Sequence, residues 1–295
     1  MISRLPDLCQ LSVVIEKGAS LPSVVLPNLT NLAINWNHDS DLFWMFHGAT
    51  FGKLEVITFN STFKPTNDFR SICDFLETFE RVMLAVSAQN TLSEFYFHTS
   101  CSCNPNYSSL LPFTQLRYLI IGSSCGDGCT SRVDDDIITN LTQVMPELEI
   151  LLLGDMPCHE ILTGVTVKVL VVLAHHCQNL AVLCVHFQVL SLTTLPVVIP
   201  IARSTAPQRD CALMELQVGD IPVPEASALV VAMTLVQIFP HIEDVVYLDE
   251  SWEEVAEMFS LSINIINCSS KEHPCSVTQR NFHNTFPDAT PEDGG

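Results

Sequence analysis

The chain has 295 residues and carries 13 Lys+Arg against 33 Asp+Glu, a formal charge of −20. A surface that negative repels phosphate backbones and anionic lipid, which argues against nucleic acid and membrane as partners and in favour of a protein with a basic patch. Hydrophobic residues are 47 % of the chain and charged ones 16 %, enough for a continuous core and too apolar for a chain disordered throughout; the length suits two domains or one elongated repeat array.

The first ten residues, MISRLPDLCQ, lack the apolar run of a secretory signal, and no stretch reaches the roughly 18 uninterrupted apolar residues of a membrane span. The nearest approaches, 226–239 and 165–174, are respectively too short and interrupted by Lys168, and both read as buried helices. A cytoplasmic or nuclear location follows as an expectation. Twelve cysteines and the sequons at Asn28, Asn60, Asn106, Asn140 and Asn267 point weakly the other way. Without a signal sequence the cysteines are expected to be mostly reduced and to fill the core as small hydrophobes.

One element recurs in chain order: an apolar residue, two variable ones, a second apolar, one variable, a third apolar. Leu8, Leu11 and Val13 open it. It then returns as Leu29, Leu32, Ile34; Leu54, Ile57, Phe59; Leu92, Phe95, Phe97; Leu116, Leu119, Ile121; Leu148, Leu151, Leu153; Leu180, Leu183, Val185; Leu213, Leu216, Val218; and Ile242, Val245, Tyr247. Successive starts from Leu29 are 25, 38, 24, 32, 32, 33 and 29 residues apart. Before most of them stands a terminator, as at Pro27, Pro146 and Pro240, where proline or a polar pair ends a preceding helix. The spacing predicts strands near 31–35, 56–60, 94–98, 118–122, 150–154, 182–186, 215–219 and 244–248, in one parallel sheet.

Between the strands, apolar residues spaced by three and four predict helices over 68–88, 134–144, 165–177, 225–238 and 252–259. Asp134, Asp135 and Asp136 fall where a helix N-terminus favours negative charge, and read as a capping cluster rather than a metal site. His175 and His176 close the third of these helices, where donors suit the last carbonyls. Pro196, Pro200, Pro207 and the polar run 204–210 mark a large loop, and residues 269–295 read as a disordered acidic tail after a repeat region over 1–268. One repeat cannot bury its apolar face alone, so neighbours stack: the expected fold is α/β, a horseshoe solenoid with a parallel concave sheet and convex helices.

With the repeats in phase, residues 8–266 resemble the leucine-rich-repeat half of fungal F-box-type proteins. Leu29-Thr-Asn-Leu-Ala-Ile-Asn-Trp-Asn37 matches that family's phrase through its ninth-position asparagine. The resemblance implies a backbone-bonding asparagine ladder, but the later equivalents Thr62, Ser100, Ser124, Met156, Gln188, Ile221 and Glu250 depart from it. It also implies that the repeats select substrates for a cullin-type ubiquitin ligase, whose adaptor an N-terminal F-box would dock. Leu5-Pro6 is the one echo of an F-box start, and the following LCQLSVVIEKG reads as strand.

No Gly-x-Ser-x-Gly, phosphate-cradling glycine loop or His-Glu-x-x-His occurs, so the chain is expected to be no enzyme and to need no cofactor. Binding is expected on the concave face through Trp36, Asn60, Tyr96, His98, Tyr118, Asp155, His186, Phe187, Glu215, Asp220 and Asp249, against the plainer reading of a solvated sheet. Cys101 and Cys103, with Cys125 and Cys129, follow consecutive strands. They could hold zinc, form a disulfide or stay free thiols, and zinc would meet a tighter cysteine spacing than usual.

Overall fold

The computed structural model describes residues 7–15, 25–36, 50–61, 75–85, 88–99, 106–123, 133–154, 164–187, 211–219, 222–224, 227–247, 249–259 and 261. Nine strands form one parallel sheet. In chain order these are β1 (Gln10–Ile15), β3 (Asn31–Trp36), β5 (Val56–Ser61), β6 (Glu94–Thr99), β7 (Tyr118–Ser123), β8 (Ile150–Leu153), β9 (Val182–Val185), β10 (Glu215–Gly219) and β11 (Asp244–Tyr247), and each pairs with its chain neighbours. A two-stranded parallel pair, β2 (Val25–Leu26) with β4 (Thr50–Phe51), was not anticipated. Beside it Gly52 approaches the Pro27 carbonyl so closely that no side chain fits.

All eight predicted strands lie within a residue or two of the observed ones, because the apolar period directly encodes which face is buried. All 24 repeat positions from Leu29 to Tyr247 are buried, from 0 % exposed at Leu29 to 8 % at Tyr247. Leu8, Leu11 and Val13 are only partly buried, as the end of a stack requires.

Two backbone patterns lock the strands in register. The N–H groups of Leu29, Leu116, Leu148, Leu180 and Ile242 donate to the carbonyls of Leu26, Phe113, Met145, Cys177 and Phe239 at 3.2–3.3 Å, one turn shared by the entries of five strands, and before β6 Leu92 donates to Ala88 at 3.0 Å across one residue more. Then the carbonyls of Cys9, Thr30, Glu55, Ser93, Arg117, Glu149, Ala181 and Met214 each accept two consecutive N–H groups from the next strand's entry, at 2.7–3.1 Å. These eight shared acceptors run straight across the sheet and satisfy donors that burial would otherwise leave costly.

Helices lie in the connections: α1 (Phe75–Ala85), α2 (Asp135–Val144), α3 (Val167–His176) and α4 (Ala228–Ile238), with a further helical run over 252–259. They share one core with the sheet. Phe79 of α1 stands 4.7 Å from Phe95 and 5.3 Å from Phe113 by ring centroids, and edge-on to Phe59 at 5.8 Å. Of the first predicted helix, 68–74 lie outside the described residues, as does the tail 269–295.

The aspartate triplet begins α2 as expected, and it divides its work. Asp134 Oδ1 accepts the Ile137 N–H at 2.8 Å as the N-cap. Asp135 instead crosses to the next repeat and accepts both the N–H and the Oγ1 of Thr166, each at 2.6 Å. Thr166 is the N-cap of α3, so one carboxylate ties two helix starts together. Gly164 makes this possible: a Cβ there would stand 2.9 Å from Asp134 Cβ.

Two stability results are expected. Leu151→Ala should cost about 2–5 kcal/mol in denaturant melts, because Leu151 is fully buried between Leu119 and Leu183; a loss below about 1 kcal/mol would mean its stack collapses freely. Asp135→Ala should cost roughly 1–3 kcal/mol by orphaning the Thr166 donors. Asp136→Ala, at an exposed position, should stay within about 0.5 kcal/mol.

Candidate functional site

The sheet's second face, turned away from the core, consists of the alternate strand positions, and the parallel register sets these in rows. The first row is Asn31, Val56, Glu94, Tyr118, Ile150, Val182, Glu215 and Asp244. The second is Ala33, Thr58, Tyr96, Ile120, Leu152, Cys184, Gln217 and Val246. Next come Asn35, Asn60, His98 and Gly122.

From β3 to β8 this face is partly exposed, Tyr96, Tyr118, Ile120, Ile150 and Leu152 included. Toward β11 two positions are covered, Cys184 at 2 % exposed and Val246 at 1 %, neither in the main core cluster, while Val182, Glu215, Gln217 and Asp244 stay partly exposed. The aliphatic stretch Ile120, Ile150, Leu152 and Val182 went unread in the sequence, because the repeat phrase treats those positions as variable.

Polar contacts knit the open part. Asn60 Nδ2 donates to Asn35 Oδ1 at 3.1 Å, and Tyr96 Oη to Glu94 Oε2 at 2.9 Å. Arg117, 54 % exposed, forms an ion pair with Glu149 and donates through Nε to Oε1 at 2.9 Å. The same guanidinium lies over the Tyr118 ring, 5.9 Å from its centroid. Both tyrosines are held above their ordinary range, Tyr96 by burial and then the Glu94 hydrogen bond, Tyr118 by the Glu149 charge, burial and a hydrogen bond to Glu149. Further along, Gln217 Nε2 donates to Glu215 Oε1 at 2.7 Å.

The expected binding residues therefore divide. Asn60, Tyr96, His98, Tyr118 and Glu215 stand on the outer face. Phe187 does not: it keeps the parity of Leu183 and Val185, is fully buried, and meets Trp252 edge-on at 6.3 Å. His186 has outward parity but is only 5 % exposed, near Gly154, whose φ of 110° suits a residue without Cβ. Asp249 is a helix-starting group, accepting from the Ser251 N–H at 2.8 Å and from its hydroxyl, while Ser251 Oγ accepts the Val223 N–H at 2.7 Å. Trp36 ends β3 opposite Ser61. Asp155, Asp220, Cys101, Cys103, Cys125 and Cys129 lie outside the described residues.

Among the described residues no group of three His, Cys, Asp or Glu side chains could hold a metal ion, and no helix is long and apolar enough to cross a membrane. His175 and His176 occupy the last turn of α3 with rings 4.9 Å apart, and burial, then the charge of His175, lowers the pKa of His176. Cys177 donates to the Met145 carbonyl at 3.7 Å, and Cys211 to that of Cys177 at 3.4 Å, so thiols extend from repeat to repeat. The sequence matches no family model and no curated protein.

Burial pushes the Cys177 thiol up to about 12 and the Cys211 thiol to about 11. The folded state thus holds these protons more tightly than the unfolded chain. The resulting stability is complete below the ordinary thiol value of 9.0 and drains away as pH climbs through about 11 to 12. At about pH 8, iodoacetamide followed by peptide mapping should label exposed Cys9 and spare Cys177 and Cys211 until denaturant is added; labelling all three at equal rates would contradict their burial.

Proposed function

We propose that this chain is a protein-interaction module of leucine-rich-repeat type, a curved solenoid that docks a protein partner on the outer face of its sheet. The observation carrying this reading is the partly exposed row Tyr96, Ile120 and Leu152 beside Tyr118 and Ile150. Cross-strand packing of these aliphatic side chains supports the sheet, and because they lie on the face away from the core and stay partly open, they also offer an apolar patch that a partner can cover. Paired tyrosines add the residue type that most often anchors interfaces.

The acid complement supports a partner with a basic patch. Glu55, Glu94, Glu149, Glu215, Glu243 and Asp244 line the strand entries, with Arg117 the cation among them. Long-range attraction of that kind raises the association rate, while desolvated tyrosine and aliphatic contacts slow dissociation. The narrower proposal, a substrate receptor for a cullin-type ubiquitin ligase, rests on the family resemblance; an interaction scaffold with no ubiquitin role is the alternative.

Affinity purification followed by mass spectrometry separates the two, since co-recovered cullin-ligase subunits support the receptor and other partners alone support the scaffold. With any captured partner, Tyr118→Ala should mainly speed dissociation, and the double reversal Glu94→Lys with Glu215→Lys should slow association and flatten its salt dependence. Binding that survives both, yet fails on substitution of exposed Lys168 in α3, would move the docking site to the helices.

A further inference from the structure

The open part of the outer face juxtaposes two chemistries over three strands. Ile120, Ile150 and Leu152 are aliphatic, and next to them Glu94 and Glu149 flank Tyr118 at the strand entries. Arg117 already joins these chemistries from within the chain: its guanidinium covers the Tyr118 ring and pairs with Glu149. It does so while more than half exposed, so solvent or another cation can replace it.

Resting on the docking reading, we infer that β6 to β8 bind an extended peptide segment carrying arginine or lysine and aliphatic residues at every second position, so that they share one face, and that Arg117 is a displaceable stand-in for the partner's cation. An arginine entering over Tyr118 finds the aromatic face and carboxylate that now hold Arg117. Aliphatic side chains of the same segment then cover Ile120 and Leu152, neighbours on adjacent strands. Anionic macromolecules are repelled by the net charge of −20. A small polyamine would satisfy the carboxylates and leave the aliphatic row wet.

The probe is a capped hexapeptide, Arg-Ser-Leu-Ser-Leu-Ser, which sets arginine and leucine on one face; it is compared with the same peptide carrying serine for leucine and with spermine, and titrated into the whole chain while backbone amide shifts are recorded. Shifts should centre on 94–98, 118–121 and 150–153, and the arginine–leucine peptide should bind at least about tenfold more tightly than either comparison probe. Arg117→Ala should tighten binding by roughly three- to tenfold by vacating the site, and Arg117→Gln, which keeps much of the side-chain stem, should do the same. Lys168→Ala removes the same charge from the exposed start of α3 and should leave affinity unchanged.

Equal gains from Arg117→Ala and Lys168→Ala would reduce the effect to net charge and overturn the inference, as would equal binding of the arginine–serine peptide. No hexapeptide binding at all, with a captured partner still lost on Ile120→Asp, removes the cationic segment while leaving the docking face. A captured partner indifferent to Ile120→Asp removes both.

Discussion

Everything else in this molecule depends on the row of carbonyls that each accept two N–H groups from the following strand's entry. Cys9, Thr30, Glu55, Ser93, Arg117, Glu149, Ala181 and Met214 perform this at 2.7–3.1 Å, and the strands they align are otherwise joined by connections of very unequal length. A parallel pair has no tight turn to set its register, so a slip of one residue would turn every apolar side chain outward. The shared acceptor anchors each strand where its buried leucine begins. Leu116, Leu148 and Leu180 then stack at zero exposure, and the helices inherit a fixed surface to pack on. Connections therefore vary from repeat to repeat without disturbing the sheet.

The acidity of the chain is put to two separate uses. Asp134, Asp135 and Asp249 are spent inside the fold, at helix starts where free N–H groups and the helix dipole favour a carboxylate. Asp135 and Ser251 go further by reaching across about thirty residues of sequence to a neighbouring connection, so these caps couple adjacent repeats. The carboxylates at the strand entries, Glu94, Glu149 and Glu215, hydrogen-bond to side chains of the sheet face itself and remain partly exposed. They give the proposed docking face its negative potential, and the row of strands beneath holds them at fixed spacing. A face presented on rigid strands loses little conformational entropy when it is covered, which favours binding by aromatic and aliphatic anchors.

Much of the architecture was legible in the sequence because it is local and periodic. An apolar residue at the first, fourth and sixth positions of a phrase can bury all three only in a turn leading into a strand, and repetition of that phrase commits successive strands to one face. Terminators such as Pro146 and Pro240 marked where helices give way to those turns, and the triplet at Asp134 marked where one begins. The same parity rule, carried two residues past β9, assigns Phe187 to the core with Leu183 and Val185 and not to the outer face where it was expected.

Tertiary structure alone decided which side chains meet across repeats. Arg117 and Glu149 lie 32 residues apart, Asp135 and Thr166 lie 31 apart, and unequal connections hide the register that joins them. The aliphatic row of Ile120 and Leu152 belongs to the same category: each is an unremarkable variable position in its own phrase, and only side-by-side strands turn the two into a surface. Burial of Cys184, His186 and Val246 on that face likewise depends on what covers them in space. A period within one strand is set by the geometry of a single backbone, whereas a neighbour across the sheet is set by the length and path of everything between, which no short phrase records.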